Sequence, residues 1–189
     1  MTGSFKIKTL FAVLLVIFFA CDNSGDSSDD DSGNGYKVDN PVESFTKEDE
    51  PSSFSIDTFN FVTPWGYERT QNADRKYPIV VNGCWGEGPH FSESVRKKYP
   101  AFYLDFNNYY TESDGQILAD LIDKTIKAGY RIDTNRIYLT GFSQGGSGSF
   151  KLVRGMHSKG KLFAAIIRVA GQSESILLDA AVLTTSVWY

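Results

Sequence analysis

The chain has 189 residues, 41% of them hydrophobic and 14% aromatic, enough for one domain with a substantial core. Its formal net charge of −4 is uneven: residues 22–57 carry −9, eleven acids against two lysines, and residues 58–189 carry +3. No basic stripe is interleaved with aromatics, which argues against a nucleic-acid partner. Two cysteines outside any CxxC and two distant histidines, His90 and His157, argue against a metal, and no cofactor is implied.

Residues 1–20 read as an export signal. Lys6 and Lys8 form a basic start, and residues 9–19 are an apolar run. The run is shorter than the ~20 residues needed to cross a bilayer. Phe18-Phe19-Ala20-Cys21 then resembles a bacterial lipoprotein cleavage box, departing from it where Leu and a small residue are more usual. This implies a lipid on Cys21 and a membrane-anchored, extracytoplasmic protein. It also leaves Cys84 without a disulfide partner. An ordinary secretory signal cut nearby is the alternative.

Residues 22–34 are Ser-, Asp- and Gly-rich and cannot bury apolar area, so they read as a disordered tether. Residues 36–57 stay polar and read as linker, which makes 21–57 tether and linker and 58–189 the domain. Residues 59–62 alternate like an early edge strand, 77–81 read as a more buried strand, and 101–104 as a third. Residues 114–127 carry Ile117, Leu118, Leu121, Ile122 and Ile126 at helical spacing. Ser113 or Asp114 is the expected cap, and Gly129 the stop. A strand over 136–140, a helix to about Met156, a strand over 164–170 and a strand opening at 186–189 complete the reading. Strands alternating with helices predict an α/β domain, a mostly parallel sheet with helices on both faces. Functional loops then belong at the carboxyl ends of the strands.

The most informative stretch is Gly141-Phe142-Ser143-Gln144-Gly145, at the end of the apolar run Ile137-Tyr138-Leu139 and the start of a helix. Strand, Gly-x-Ser-x-Gly and helix in that order is the sequence form of a nucleophile elbow. The turn is so tight that the residues two before and two after the serine, Gly141 and Gly145, must lack bulk.

With that elbow the chain resembles the alpha/beta-hydrolases, in particular secreted esterases near polyhydroxybutyrate depolymerases and feruloyl esterases. Four stretches carry the resemblance: residues 76–83, the glycine loop Gly83-Cys84-Trp85-Gly86-Glu87-Gly88, residues 132–141 leading into the elbow, and residues 163–171. It implies Ser143 as nucleophile and the Gln144 N–H as one oxyanion donor. The other donor is then Cys84 or Trp85. Asn82 stands where the family usually has His. The family order is nucleophile, acid, histidine. The acid follows the strand that opens at 186, so the triad acid and base are read as absent, and the sequence as C-terminally truncated. His90 lies on the correct edge of the sheet and could reach the cleft, its bland reading being a solvated loop residue. His157 should point away from the cleft. Asp105 reads as a loop-capping carboxylate. Trp65 and Trp85 read as packing residues, with an aromatic wall as the sharper alternative.

Three functions are thereby expected in order. The first is a lipid-anchored serine esterase acting on a small or polymeric carboxylic ester. The second is a non-catalytic surface lipoprotein with a degenerate hydrolase fold. The third is a peptidase of the prolyl-oligopeptidase type, which uses the same elbow.

Overall fold

Alternating and continuous apolar runs in this chain become strands because each has a buried face to cover. The computed structural model describes residues 44–83, 91–171 and 185–188. In chain order the described strands are β1 (Ser53–Ile56), β2 (Phe59–Val62), β3 (Tyr77–Gly83), β4 (Phe102–Asp105), β5 (Ile132–Phe142), β6 (Ala165–Val169) and β7 (Ser186–Trp188). The described helices are α1 (Glu93–Lys98), α2 (Glu112–Lys127) and α3 (Gln144–Ser158). Of the described residues, 45–83, 100–171 and 185–188 belong to one compact unit, and 44 and 91–99 to another.

The larger unit holds a single sheet in the order β1-β2-β4-β3-β5-β6-β7. β1 pairs antiparallel with β2, and β2 antiparallel with β4. From β4 through β3, β5 and β6 to β7 every pairing is parallel. The core strands carry Ile79, Val81, Phe102, Leu104, Ile137, Leu139 and Ile166, all essentially buried. Burying each such side chain contributes about 1.5–3 kcal/mol.

Residues 53–56 were read as linker but form β1. Phe54 and Ile56 alternate with serines and pack against the core. Asp57, at φ 53, makes the short turn into β2, a conformation Asp tolerates through its own side-chain hydrogen bonding. The acidic composition around β1 hid this alternation. β2 is consequently internal, not an edge strand. The compact unit itself begins at Phe45 rather than 58. Phe45 packs on Trp65 with ring centroids 5.7 Å apart, and the buried carboxylate of Asp49 accepts from the Arg69 guanidinium.

α2 starts two residues earlier than its periodicity suggests. Thr111 is its cap, in a capping box with Asp114: the Thr111 hydroxyl accepts the Asp114 N–H, and the Asp114 carboxylate accepts the Thr111 N–H at 2.7 Å. Leu118, Leu121 and Ile122 are buried, but Ile117 is 43% exposed. α2 and α3 pack directly on one another, and α3 lies against β3, β5 and β6, so the two long helices share one face of the sheet.

In the smaller unit the sequence had suggested no element, yet α1 forms there. Ser92 Oγ accepts the Val95 N–H at 3.4 Å, and Lys97 reaches back to Glu93 at 2.6 Å. That pair, chiefly through the Lys97 hydrogen bond, holds the Glu93 carboxyl below its ordinary value.

Candidate active site

β3 leads to β4 on one side, and the chain then crosses back to place β5 on the other side of β3. The crevice at the carboxyl ends of these strands is a topological switch point, where ligands of open α/β sheets bind. β5 ends at Phe142 and α3 begins at Gln144, so Ser143 alone makes the turn.

Its backbone sits at φ 52, ψ −115, a conformation that side-chain-bearing residues rarely adopt. Three hydrogen bonds hold it there. The Ser143 N–H donates to the Val169 carbonyl on β6 at 2.9 Å. The Ser143 carbonyl accepts the Ser147 N–H at 3.0 Å and the Ser147 hydroxyl at 3.3 Å. With both backbone polar groups used, the side chain is left exposed at the surface.

Gly141 and Gly145 are both buried in the bend. A Cβ on Gly141 would lie 2.5 Å from the Gly145 carbonyl oxygen and 2.9 Å from the Gly146 nitrogen, so any side chain there forces the turn apart. Gln144 is the first residue of α3, and its N–H is one of the helix-start donors that lack an intrahelical acceptor. The positive end of the helix dipole adds to the attraction for an anion at this point.

An open depression of about 420 Å³ lies over this turn, lined by Tyr109, Tyr110, Ser143, Gln144, Ser147 and Lys151 among others. The two tyrosine rings pack with centroids 4.8 Å apart. Tyr109 presses on α3 at Gly148, where an added Cβ would sit 2.1 Å from the Tyr109 carbonyl oxygen. Nothing in the local pattern flagged these two tyrosines, because only the tertiary fold brings the β4–α2 loop to the elbow.

The remaining expected residues fall as follows. Gly83 ends β3 directly across from Gly141, so the chain leaves β3 one strand spacing, about 4.8 Å, from the elbow. Cys84, Trp85 and His90 lie outside the described residues, as does Cys21. Asn82 is buried, its Nδ2 donates to Asp105 Oδ1 at 3.1 Å, and its backbone carbonyl accepts the Phe106 N–H at 3.0 Å. Asn82 and Asp105 thereby join the carboxyl ends of β3 and β4. Trp65 is buried beside Phe45. His157 is exposed in the last turn of α3, fourteen residues and about 21 Å of helix from Ser143.

Arg168 is 4% exposed in the apolar strand β6 and stands in register with Gly141. Its Nε donates to the Gly146 carbonyl at 2.7 Å, and its guanidinium lies 4.2 Å over the Phe150 ring. A charged residue inside the run Ala165-Ile166-Ile167-Arg168-Val169 was the available signal.

An exposed hydroxyl on a strained strand-to-helix turn, beside free helix-start amides, can attack a carbonyl and receive the resulting oxyanion. A strand, a Gly-x-Ser-x-Gly turn and a helix in that order, at the carboxyl edge of a mostly parallel sheet, have the geometry of a nucleophile elbow. Among the described residues, no group of three His, Cys, Asp or Glu could hold a metal ion, and no helix is long and apolar enough to cross a membrane.

No protein-family model matches the chain, and no curated protein matches it. Among solved structures, it is similar to an esterase of the fungus Rhizomucor miehei, at 10% identity and a TM-score of 0.43, over 71% of this chain and 47% of that one. It is similar to the acylaminoacyl peptidase of Pyrococcus horikoshii at 21% identity and a TM-score of 0.41, over 68% and 24% of the two chains. A sugar hydrolase of Lactococcus lactis is similar at 19% identity and a TM-score of 0.36, over 62% and 52%. The chain thus spans about half or less of the length of these structures.

Proposed function

We propose that this chain carries the nucleophile of a serine hydrolase acting on carboxylic esters. In the reaction, the Ser143 oxygen adds to the ester carbonyl carbon, its proton passes to a base, and the alcohol leaves to give an acyl-serine that water then hydrolyses. The Gln144 N–H is one oxyanion donor, and the N–H of Cys84 or Trp85, just beyond β3, is the other. A donor of this kind supplies about 2.7–4 kcal/mol to such a reaction. The observation that carries the reading is the backbone of Ser143, held at φ 52, ψ −115 with its side chain exposed.

His157, the one histidine among the described residues, is at the far end of α3 from Ser143 and is not the base. A non-catalytic protein that keeps the fold is the second reading. A peptidase would need the same elbow and differs only in the bond cleaved. The resemblance of residues 76–88 and 132–141 to secreted esterases supports an ester, with a polyester or a phenolic ester as candidate substrates.

A fluorophosphonate probe on the purified chain separates the catalytic readings from the non-catalytic one. The expected result is a covalent adduct on Ser143 that disappears in Ser143→Ala. No adduct, or one that survives the substitution, overturns the assignment of Ser143 as nucleophile.

The protein is further proposed to be an extracytoplasmic lipoprotein anchored through Cys21, on the strength of the basic start, short apolar run and Ala20-Cys21 box. Metabolic labelling with an alkyne fatty acid should mark the wild type and not Cys21→Ala. Equal labelling of both would refute the anchor.

A further inference from the structure

Two consecutive residues of β6 bond to the elbow at two points. The Val169 carbonyl accepts the Ser143 N–H at 2.9 Å, and Arg168 Nε donates to the Gly146 carbonyl at 2.7 Å. Gly146 lies in the first turn of α3, and its carbonyl also accepts the Ser149 hydroxyl at 2.8 Å. The approach is close: a Cβ on Gly146 would stand 2.9 Å from the Val169 carbonyl oxygen and 3.1 Å from the Gly141 carbonyl oxygen. A guanidinium is costly to bury unless it is hydrogen-bonded. This one is nearly fully buried, over the Phe150 ring of the same helix. An apolar side chain would fill such a strand position at lower cost. What the arginine adds is a directed bond from the sheet to the turn that holds the strained serine.

We propose that Arg168 is a positioning residue: it locks the first turn of α3 to β6, and so holds Ser143 in its strained conformation and aims the Gln144 N–H at the oxyanion. Its effect on reactivity rests on the serine-hydrolase reading; its effect on the rigidity of the turn does not. Being a buried cation next to a helix start, it also favours negative charge there.

The test compares the wild type with Arg168→Met, which keeps the bulk and removes the bond, and with Arg168→Lys, which keeps the charge and changes the geometry. Two quantities are measured in the full chain: the fluorophosphonate labelling rate per folded molecule, and amide hydrogen exchange at Ser143 and Leu139. The expected result for Arg168→Met is labelling slowed 10-fold or more and Ser143 amide exchange accelerated 10-fold or more, with exchange at Leu139 unchanged. Arg168→Lys should fall between the two. Unchanged labelling and unchanged Ser143 exchange in a folded variant would overturn the proposal. So would equal acceleration at Ser143 and Leu139, which marks general destabilisation. If Arg168→Met fails to fold, Arg168→Lys and Phe150→Leu, which removes the ring under the guanidinium, are read by the same criteria. If the wild type is not labelled, Ser143 fails as nucleophile, and the exchange data alone decide the role of Arg168.

Discussion

Gly115 of α2 and Gly155 of α3 meet backbone to backbone: a Cβ built on Gly155 lies 2.6 Å from the Gly115 Cα and 2.0 Å from the Glu112 carbonyl oxygen. This contact sets how closely the helix that starts at Ser143 lies beside α2. Around it, Leu118, Ile122, Phe150 and Leu152 are fully buried.

Gly155→Ala should therefore destabilise the protein by overpacking, by about 1–3 kcal/mol. Alanine's better helix propensity, worth about 1 kcal/mol at an exposed site, should not rescue it, because the clash is with backbone that cannot rotate away. Urea denaturation at constant m-value gives the difference. A variant as stable as the wild type would mean that the two helices can separate freely.

Ser143 carries strain that any side chain shares. Ser143→Gly should accordingly be more stable than Ser143→Ala by about 1 kcal/mol, even though glycine ordinarily costs stability. Both variants lose the hydroxyl, so the comparison isolates the backbone. Guanidinium midpoints measured side by side provide the number, and an alanine variant equal to or above the glycine one would show that the turn is relaxed.

Acid should loosen the start of the larger unit. The Arg69 guanidinium first, and the Thr46 N–H second, hold the Asp49 carboxyl well below its ordinary value of 3.8. Because the folded form has the lower pKa, this contribution is fully present above the ordinary value and is lost as pH falls through the folded value. The stability difference between the wild type and Asp49→Asn should be constant above about pH 5 and should shrink steadily below the ordinary carboxylate range. Parallel pH profiles for the two proteins down to pH 2 would contradict the linkage.

Short-range signals carried the catalytic reading. Gly141, Ser143 and Gly145 lie within five residues, and the tightness of one turn explains all three. The strands at 77–83, 102–105 and 165–169 were legible for a similar reason, since continuous apolar runs that short have few other ways to be buried. β1 was not, because its alternation covers four residues inside an acidic stretch and becomes a strand only when β2 is there to pair with it. The cap of α2 was placed on Ser113 or Asp114, but two hydrogen bonds select Thr111.

From the amino-acid order alone came an α/β domain, a serine at a sharp bend, and the direction in which strand and helix run from it. Those features depend on neighbours in the chain. The tertiary structure alone determined that β3 ends beside the elbow, that Tyr109 and Tyr110 border it, and that Arg168 and Val169 hold it. These are contacts between segments tens of residues apart, and a local pattern cannot specify them: which strands become neighbours, and in what register, is settled by packing the whole core at once.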